Sequence, residues 1–589
     1  MKKFASLVLS LILCLSLMSG IGAVFAEEAR TVLTIGDVVD HSATYEGENK
    51  SKFWKLIEDE LNIEIDFIYL PEDTYAAVMA SGDLPDIVHP GNDLSSILEA
   101  GLALNVEPYL EEYCPNLITG SAGATYELYK QLLTNGEGFY FFPAGIGYNG
   151  AGYGTEYNTR GYVVRWDYYK ELGCLPITND EEYLEVLKQM QANHPTTEDG
   201  YPTYLYGTDN WKGYDTAFRS YISVDYWAAY KYQNNIFTNE IYDGYLDVDN
   251  SMWWAATKWY NKLYNAGAEN GTFDMDLFTM TKDEFSVKRE RGQYMGLHNG
   301  NGALYNAKVK EDPNTISGYC TVPTSGANWY NNVYQLMGNG SQYMDFISVN
   351  SENWELALKF YNYMYDPTFV RTIFLGEQGV TWDYDENGVP QMTEFGIEQF
   401  EAADKNENPD NYFYHWGDTP NNTVGLRGNL LHPDGYSINF YSDSREYAET
   451  HVTNNVAKDM CEYYDVVLPT DAVYTQGGKD FRNDAGEAIS SVMTGLNADQ
   501  LRVIASCDEI LEGRQADLIM AETEEEYLEI QTEMLEEIKS LGEEEVFLAY
   551  QEQWNSVAEI MIPLVHEAQA LNGREPYTEE DYINMPYAK

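Results

Sequence analysis

The sequence predicts an α/β protein of two lobes around a cleft, with parallel-dominated sheets, helices on both faces of the sheets, and a helical C-terminal part. Strand-like and helix-like segments alternate in two series, and a Gly- and Tyr-rich stretch separates these series. The region from Gly486 onward is helical in pattern and very acidic. The length of 589 residues exceeds what one hydrophobic core usually organises, which also favours two lobes.

The first series starts soon after the N-terminus. We expect strands at Thr31–Val39 and Ile63–Leu70, where β-branched and aromatic residues dominate. The helical spacing of Phe53–Leu61 predicts a helix between these strands, and a short helix is expected around Tyr75–Met79. Asp86–Val88 then reads as a short buried strand. Because helices connect consecutive strands, the pattern predicts parallel pairing.

The second series follows the separating stretch. A strand-like run at Gly138–Phe142 stops at Pro143, and the irregular Gly145–Tyr157 comes next. Tyr162–Arg165 is expected to form a strand and Trp166–Leu172 the helix after it. Further along, the apolar spacing of Asn353–Tyr365 predicts an amphipathic helix that ends before Pro367.

The N-terminus has the pattern of a secretory signal. Lys2 and Lys3 precede the apolar run Phe4–Leu17, which is shorter than the ~20 residues of a membrane span. Small residues at Val24 and Ala26 predict cleavage before Glu27, so we expect a secreted protein at the cell surface or in the periplasm. Leu13, which precedes Cys14, is not the small residue that a lipid-anchor motif requires.

Charge and cysteine content exclude several classes of function. Lys and Arg number 35 against 95 Asp and Glu, which gives a net charge of -60 and disfavours binding to nucleic acids or anionic membranes. The mature chain keeps an odd number of cysteines and has no C-x-x-C, so neither a disulfide framework nor a structural zinc site is expected.

Motifs that signal catalysis or cofactor binding are nearly absent. The chain has no H-E-x-x-H, no G-x-S-x-G and no phosphate-binding loop motif. Gly145–Gly150 matches G-x-G-x-x-G, but a Gly-rich segment follows it where a dinucleotide site needs a helix. We therefore expect no enzyme activity, no catalytic residues and no bound cofactor.

One segment fits a calcium-loop pattern, with candidate ligands at Asp383, Asp385, Asn387 and Glu394. Pro390 lies where such a loop makes a short backbone pairing, and neither flank is strongly helical. The alternative is a tight turn that joins two strands, which we favour.

Aromatic residues are the positive signal for a ligand. Tryptophans lie outside the opening strands at Trp211, Trp227, Trp253, Trp254, Trp329 and Trp382. An aromatic ring can stack on the C–H face of a sugar, while amides and carboxylates bind its hydroxyls. The helical position of Trp253 and Trp254 favours a core role; a cleft role remains open for Trp227 and Trp382. Glu377, flanked by Gly376, is a candidate acceptor for ligand hydroxyls.

Several segments resemble one known family. The run Ala80–Val88, the strand Gly138–Pro143 and the stretch from Arg165 to Gly173 match its motifs in order and spacing. Asn353–Pro367 and Gly376–Val380 extend the match toward the C-terminus. The sequence thus resembles the extracellular solute-binding proteins of ABC transporters, in the carbohydrate-type group of large binding proteins (family 1).

The resemblance implies a hinged, periplasmic-binding-protein-like fold of type II. After a signal peptide at 1–26, lobe 1 would take residues 27–143 and 331–395, and lobe 2 would take 144–330. Residues 396–589 would complete lobe 2 and form the helical C-terminal part. The implied function is capture of a small solute, most often an oligosaccharide, for an ABC permease, by a protein that we expect to be a monomer.

The ligand-binding residues predicted in this way lie in loops after strands and in aromatic positions. They are Asn92, Asp93, Arg165, Trp227, Asn299, Trp329, Glu377 and Trp382. Some relatives bind calcium after the helix at Glu181, but His194–Pro202 has too few carboxylates here. Two alternatives stay open: a secreted carbohydrate-active enzyme (glycoside hydrolase or lyase), and a surface scaffold. Peptide or lipid ligands are also compatible with the resemblance.

Overall fold

The computed structural model of the protein describes most of the chain in discontinuous segments. These are residues 30–37, 52–90, 94–148, 161–209, 211, 224–225, 231–235, 238–298, 312, 314–325, 328–330, 334–335, 344–404, 424–442, 444–452, 454–477, 479–481, 485–490, 493 and 495–571. The predicted signal peptide lies outside these segments. So do the part of the irregular stretch Gly145–Tyr157 that follows Tyr148, and the last residue, Lys589. None of the described helices is both long enough and apolar enough to cross a membrane.

Strands and helices alternate along the described chain. The strands are β1 Thr31–Asp37, β2 Ile63–Tyr69, β3 Ile87–Val88, β4 Phe141–Pro143, β5 Gly147–Tyr148, β6 Val163–Arg165, β7 Tyr204–Gly207, β8 Val224–Asp225, β9 Tyr232–Asn235, β10 Ile241–Asp243, β11 Tyr294–Leu297, β12 Tyr319–Thr321, β13 Asn328–Tyr330, β14 Tyr334–Gln335, β15 Met344–Ile347, β16 Trp382–Tyr384, β17 Pro390–Met392 and β18 Lys479–Phe481. The helices are α1 Lys52–Leu61, α2 Glu72–Ser81, α3 Leu94–Glu99, α4 Leu110–Tyr113, α5 Gly120–Thr134, α6 Trp166–Glu171, α7 Asp180–Asn193, α8 Met252–Gly267, α9 Lys282–Glu290, α10 Trp354–Met364, α11 Pro367–Leu375, α12 Glu394–Asp404, α13 Arg445–Thr450, α14 Asn455–Tyr464, α15 Pro469–Thr475, α16 Ala485–Ser490, α17 Ala498–Met520, α18 Glu524–Ser540 and α19 Glu543–Leu571.

The first large sheet has the strand order β2-β1-β3-β15-β4. β1 pairs in parallel with β2, from Thr31 opposite Ile63 to Asp37 opposite Tyr69, and also in parallel with β3. β15 is antiparallel to both β3 and β4. It reaches this sheet only after the chain has formed β5 to β14, so it is not the product of a simple strand-helix-strand crossover.

The second large sheet has the order β12-β6-β11-β7 and is also mixed. β11 runs parallel to β7, whereas β6 is antiparallel to both β11 and β12. The expectation of parallel-dominated sheets is therefore wrong for the described strands. Parallel pairs form where a helix returns the chain to the same sheet edge, and the strands that arrive from elsewhere pair in the opposite sense.

Two large hydrophobic clusters form the core. The first surrounds the first sheet, with buried Leu33, Ile65 and Phe346. The second surrounds the second sheet, with buried Trp166 and Met295. This division of apolar contacts fits a two-lobe fold.

Helix α8 contributes to both clusters. Trp253 and Trp254 belong to the first cluster, as the preference for a core role predicted, while Trp259 and Tyr260 belong to the second. Ser251 caps the helix by accepting a hydrogen bond from the backbone N–H of Trp254 at 3.4 Å. One helix thereby connects the two cores directly.

The C-terminal helices α17 to α19 confirm the predicted helical C-terminal part. Asn497 begins α17 with a capping box that includes Gln500. The end of α17 meets α8, where the Asn261 amide donates to the carbonyls of Leu518 and Ala521 at 3.1 and 2.9 Å. The apolar face of α19 lies in the first cluster. The lobe boundaries themselves remain a prediction.

Candidate functional site

The carboxyl ends of β1 and β3 meet at one edge of the first sheet. Asp37 ends β1, and His89 directly follows β3; both side chains are buried. The backbone N–H of His89 donates to the Gly36 carbonyl at 2.8 Å, which holds the two chain ends together. Ligands of open α/β sheets bind at such edges, so this edge is a candidate site.

His89 is the first member of a buried polar network at this edge. Its Nδ1 lies 3.0 Å from Asp345 Oδ1 on β15, and the Tyr361 hydroxyl donates to Asp345 Oδ2 at 2.9 Å. Burial by itself lowers the pKa of His89, but the hydrogen bond and charge of Asp345, together with the charge of Asp37, raise this pKa above its usual value. Burial also raises the pKa of Asp345. The network ties β3 to β15 shortly before Asn92 and Asp93 in the chain.

We expect the substitution H89Q to destabilise the protein more at acidic than at alkaline pH. A histidine whose pKa is raised in the folded state contributes stability below the unfolded-state pKa of 6.5, and loses it as pH rises through the folded-state value. The loss of a buried charge-assisted hydrogen bond should cost about 2 kcal/mol at about pH 5.5 and clearly less at about pH 8.5. Urea denaturation at both pH values measures this difference.

The matched control is H194Q. His194 Nε2 pairs with Glu171 Oε2 at 2.7 Å, but the Glu171 side chain is well exposed. Solvent weakens such pairs, so H194Q should cost clearly less stability than H89Q at about pH 5.5. A pH-independent effect of H89Q would contradict the role given to the His89–Asp345 pair.

The second sheet has a similar edge where β7 and β11 end side by side. His298 follows β11, and its backbone N–H donates to the Gly207 carbonyl at 3.2 Å. The His298 Nε2 lies 3.3 Å from Asp209 Oδ1 just beyond β7. A His–Asp pair therefore lies at the carboxyl end of a strand in each large sheet.

Four predicted ligand contacts lie outside the described residues. They are Asn92, Asp93, Trp227 and Asn299. The nearest described residues before them in the chain are Pro90, Asp225 and His298. Trp329 is described only through its strand, β13, which pairs in parallel with β18 and places Trp329 opposite Asp480. Ligand contact by these residues remains a prediction.

Arg165 lies in the interior beside the second sheet, with 4% of its surface exposed. Its Nε and Nη2 donate to the two carboxylate oxygens of Asp167 at 2.6 and 2.9 Å, and its Nη1 donates to the Gly292 carbonyl at 3.3 Å. The guanidinium also lies 4.5 Å from the ring centroid of Tyr168. These contacts hold the start of α6 on β6, and they support a structural role instead of ligand contact.

The structure brings Glu377 and Trp382 together in one turn. The backbone N–H of Gly379 donates to the Trp382 carbonyl at 2.7 Å, and the Glu377 carbonyl accepts from the Thr381 N–H at 3.0 Å. The Glu377 side chain is exposed and accessible to a ligand. Trp382 is only 3% exposed, and its Nε1 donates to the Gly376 carbonyl at 3.0 Å.

The Trp382 ring packs inside this module instead of facing solvent. Tyr384 and Phe440 lie edge-on to it, with centroid distances of 5.4 and 5.7 Å. The Arg371 guanidinium lies 5.3 Å from its centroid. In this structure Trp382 supports the turn that presents Glu377, and its role as a stacking platform finds no support in these contacts.

Sequence reasoning missed Arg371, which organises the same module. Its guanidinium donates to the carbonyls of Ile438 and Ser437 at 3.1 and 3.0 Å, and forms two hydrogen bonds with the Asp434 carboxylate at 2.5 and 3.2 Å. Burial of Asp434 acts against ionisation, but the hydrogen bonds from Arg371, the Tyr436 backbone and Tyr384 keep its pKa well below the usual range. A lone arginine within the apolar run of α11 was the signal that could have revealed it.

The calcium-loop pattern forms a β-hairpin. β16 and β17 pair antiparallel from Trp382 opposite Met392 to Tyr384 opposite Pro390, as the favoured turn alternative predicted. Asp385 Oδ1 accepts from the backbone N–H groups of Asn387 and Val389 at 2.8 and 2.9 Å. Gly388 adopts a φ of 81°, which suits glycine in such a turn. Calcium binding by Asp383, Asp385, Asn387 and Glu394 has no further support from the described contacts.

Comparison with known proteins defines the class of fold. No protein-family model matches the chain, and no curated protein sequence matches it. Two solved structures from Bifidobacterium longum infantis do match, each over 90% of this chain and 99% of its own. This chain has the fold of extracellular solute-binding proteins of ABC transporters, as its motifs predicted.

The first of these structures is an HMO-binding, ABC-transporter-associated solute-binding protein from strain ATCC 15697, at 16% sequence identity and a TM-score of 0.53. The second is an extracellular solute-binding protein from the same subspecies, at 13% identity and a TM-score of 0.53. At such identities the likeness defines the fold, and the residues that would touch a ligand cannot be transferred from it.

Proposed function

We propose that the protein is the extracellular substrate-binding receptor of an ABC importer and captures an oligosaccharide by closure of two lobes. The observation that carries this proposal is the match of the fold over 90% of this chain and 99% of a solute-binding protein that binds HMO. In this proposal the protein is secreted, acts as a monomer without a cofactor or catalytic residues, and delivers its ligand to the transmembrane subunits of a permease.

Two features of the described structure support a ligand site between the two sheets. Each large sheet has a His–Asp pair at the carboxyl end of a strand, next in the chain to predicted ligand residues. The exposed Glu377 carboxylate lies on a turn that buried contacts hold in place. A site of this kind suits a neutral, hydroxyl-rich ligand, because the net charge of -60 disfavours anions.

Lobe closure requires the ligand to bind the closed state better than the open state. The expected result is a ligand-dependent rise in melting temperature in a screen of mono- and oligosaccharides, with the sugar recovered intact. At about one hundred times Kd, the added stability is about 2.7 kcal/mol. Parallel samples with a chelator test whether calcium contributes. Recovery of a cleaved sugar would establish the enzyme alternative and overturn the proposal.

A pair of variants localises the binding effect. We expect E377A to weaken the affinity for the sugar about tenfold, the effect of one lost hydrogen bond to a charged group, with little change in the melting temperature of the free protein. The matched control is E386A, which removes an exposed acid from the adjacent hairpin turn. Equal affinities for both variants would remove Glu377 from the site without affecting the wider proposal.

A further inference from the structure

A buried acid pair joins the start of helix α19 to strand β10. Glu543, the first residue of α19, is 0% exposed, and Asp243, the last residue of β10, is 8% exposed. Asp243 lies opposite Tyr232 in the pairing of β10 with β9, and the Tyr232 hydroxyl donates to Glu543, so the two acids flank one side chain and act on each other's ionisation. Two ionised carboxylates in such a position repel each other strongly in a medium that is poor in water.

The partners of the two carboxyl groups show where a proton is needed. The Tyr232 hydroxyl donates to Glu543 Oε1 at 2.8 Å, while Glu543 Oε2 has no donor among the described residues. Asp243 Oδ1 accepts from the backbone N–H groups of Tyr245 and Leu246 at 3.0 and 3.3 Å. The backbone donors favour the ionised form of Asp243. A protonated Glu543 that donates a hydrogen bond to Asp243 would complete the network.

We propose that Asp243 and Glu543 share one proton and form a pH-sensitive latch that fixes the first turn of α19 to β10. The inference is independent of the proposed ligand. Burial raises the pKa of Glu543 to about 8, and the neighbouring charge of Asp243 adds to this effect. Burial raises the pKa of Asp243 as well.

The surrounding charged and titratable groups define the pH response. Asp247 on the β10 side and Glu544 on α19 add negative charge near the pair. On α17, Asp508 accepts from the Tyr245 hydroxyl at 2.8 Å and lies 3.7 Å from the ammonium of buried Lys231. Three further groups act on this region. Burial raises the pKa of Cys507, and the charges of Glu543 and Asp243 add to this rise. The charge of Glu512 acts on Lys231, and the Tyr550 ring packs on Tyr232.

The latch and Lys231 respond to pH in opposite directions. A carboxyl group whose pKa is raised from 4.5 to about 8 binds more protons in the folded state, so the stability that it contributes falls as pH rises between these values. Burial lowers the pKa of Lys231 to about 7, so its own contribution rises above that pH. The effect of Lys231 is common to wild type and acid variants, and it cancels when their melting temperatures are subtracted.

The test compares the full chain with E543Q and a charge-matched control. A glutamine at position 543 can accept from Tyr232 and donate to Asp243 without titration. We expect the melting temperature of E543Q, relative to wild type, to rise by about 3 °C between about pH 5.5 and about pH 8.5. Backbone amide exchange in the first turn of α19, corrected for intrinsic rates, should increase with pH in wild type only. The control E545Q removes an exposed acid from the same turn and should follow wild type.

A second variant keeps the test decisive if E543Q fails to fold. In D243N the asparagine still accepts from the two backbone N–H groups and can donate to an ionised Glu543, so its pH profile should also be flatter than that of wild type. The latch is refuted if E543Q or D243N keeps the wild-type pH slope, or if E545Q changes the slope as much as E543Q does.

Discussion

Replacement of Arg371 by methionine is expected to lower the free energy of unfolding by about 4 kcal/mol. This value lies near the middle of the range for removal of one partner of a buried ion pair. The Arg371 side chain is fully buried, and its guanidinium supplies the donors for Asp434 and for the carbonyls of Ser437 and Ile438. Methionine fills part of the volume but leaves these acceptors without their donor. Urea denaturation followed by tryptophan fluorescence measures the loss.

Two comparison variants separate charge from geometry. R371K keeps the positive charge but loses the planar fork that reaches several acceptors, so it should recover only part of the lost stability. R502M removes an arginine whose side chain is 75% exposed and whose partner is Asp499, and it should leave stability unchanged within error. A loss of less than about 1 kcal/mol for R371M would show that solvent replaces the arginine at little cost.

Replacement of Trp554 by alanine is expected to lower the free energy of unfolding by about 4 kcal/mol, because it opens a large cavity in the first core. Trp554 is fully buried on α19, and its Nε1 donates to the Asn239 carbonyl at 2.7 Å. It lies between Tyr550 and Ala558 on one apolar face of the helix. Thermal and urea unfolding of the variant measure the loss, and both should remain cooperative with a lower midpoint.

The comparison variants for Trp554 lie on the same helix or at the same position. W554F retains most of the apolar volume and loses the hydrogen bond, so a loss of about 1–2 kcal/mol is expected. I560A truncates a side chain that is 60% exposed and should have almost no effect. If W554A unfolded in two separate transitions, α19 would be an independent unit instead of part of the first core.

Local patterns in the sequence predicted the individual elements well. The expected strands Thr31–Val39 and Ile63–Leu70 correspond to β1 and β2, and the expected amphipathic helix Asn353–Tyr365 corresponds to α10. These elements follow from side-chain periodicity and from stop signals such as Pro367, which act between near neighbours in the chain. The fold class followed from the order of these elements together with the family motifs.

The candidate site was predicted only in outline. The strands that precede the predicted ligand residues correspond to β3 and β11, while ligand contact by Asn92, Asp93 and Asn299 stays a prediction. The burial of Trp382 and of Arg165 was not predictable, because it depends on Phe440 and Gly292, which are distant in the sequence. Residue type alone does not tell whether a ring or a guanidinium faces a cleft or a core.

The sequence by itself determined the alternation of strands and helices, the acidic charge, the hairpin at Asp385–Gly388 and the class of fold, since each depends on local spacing or on composition. Only the tertiary structure decided that β15 inserts antiparallel into the first sheet, that Arg371 meets Asp434, and that Tyr232 meets Glu543. The physical reason is that buried polar groups must find partners wherever the packed chain brings them together, and no local pattern records a partner that is distant in the sequence.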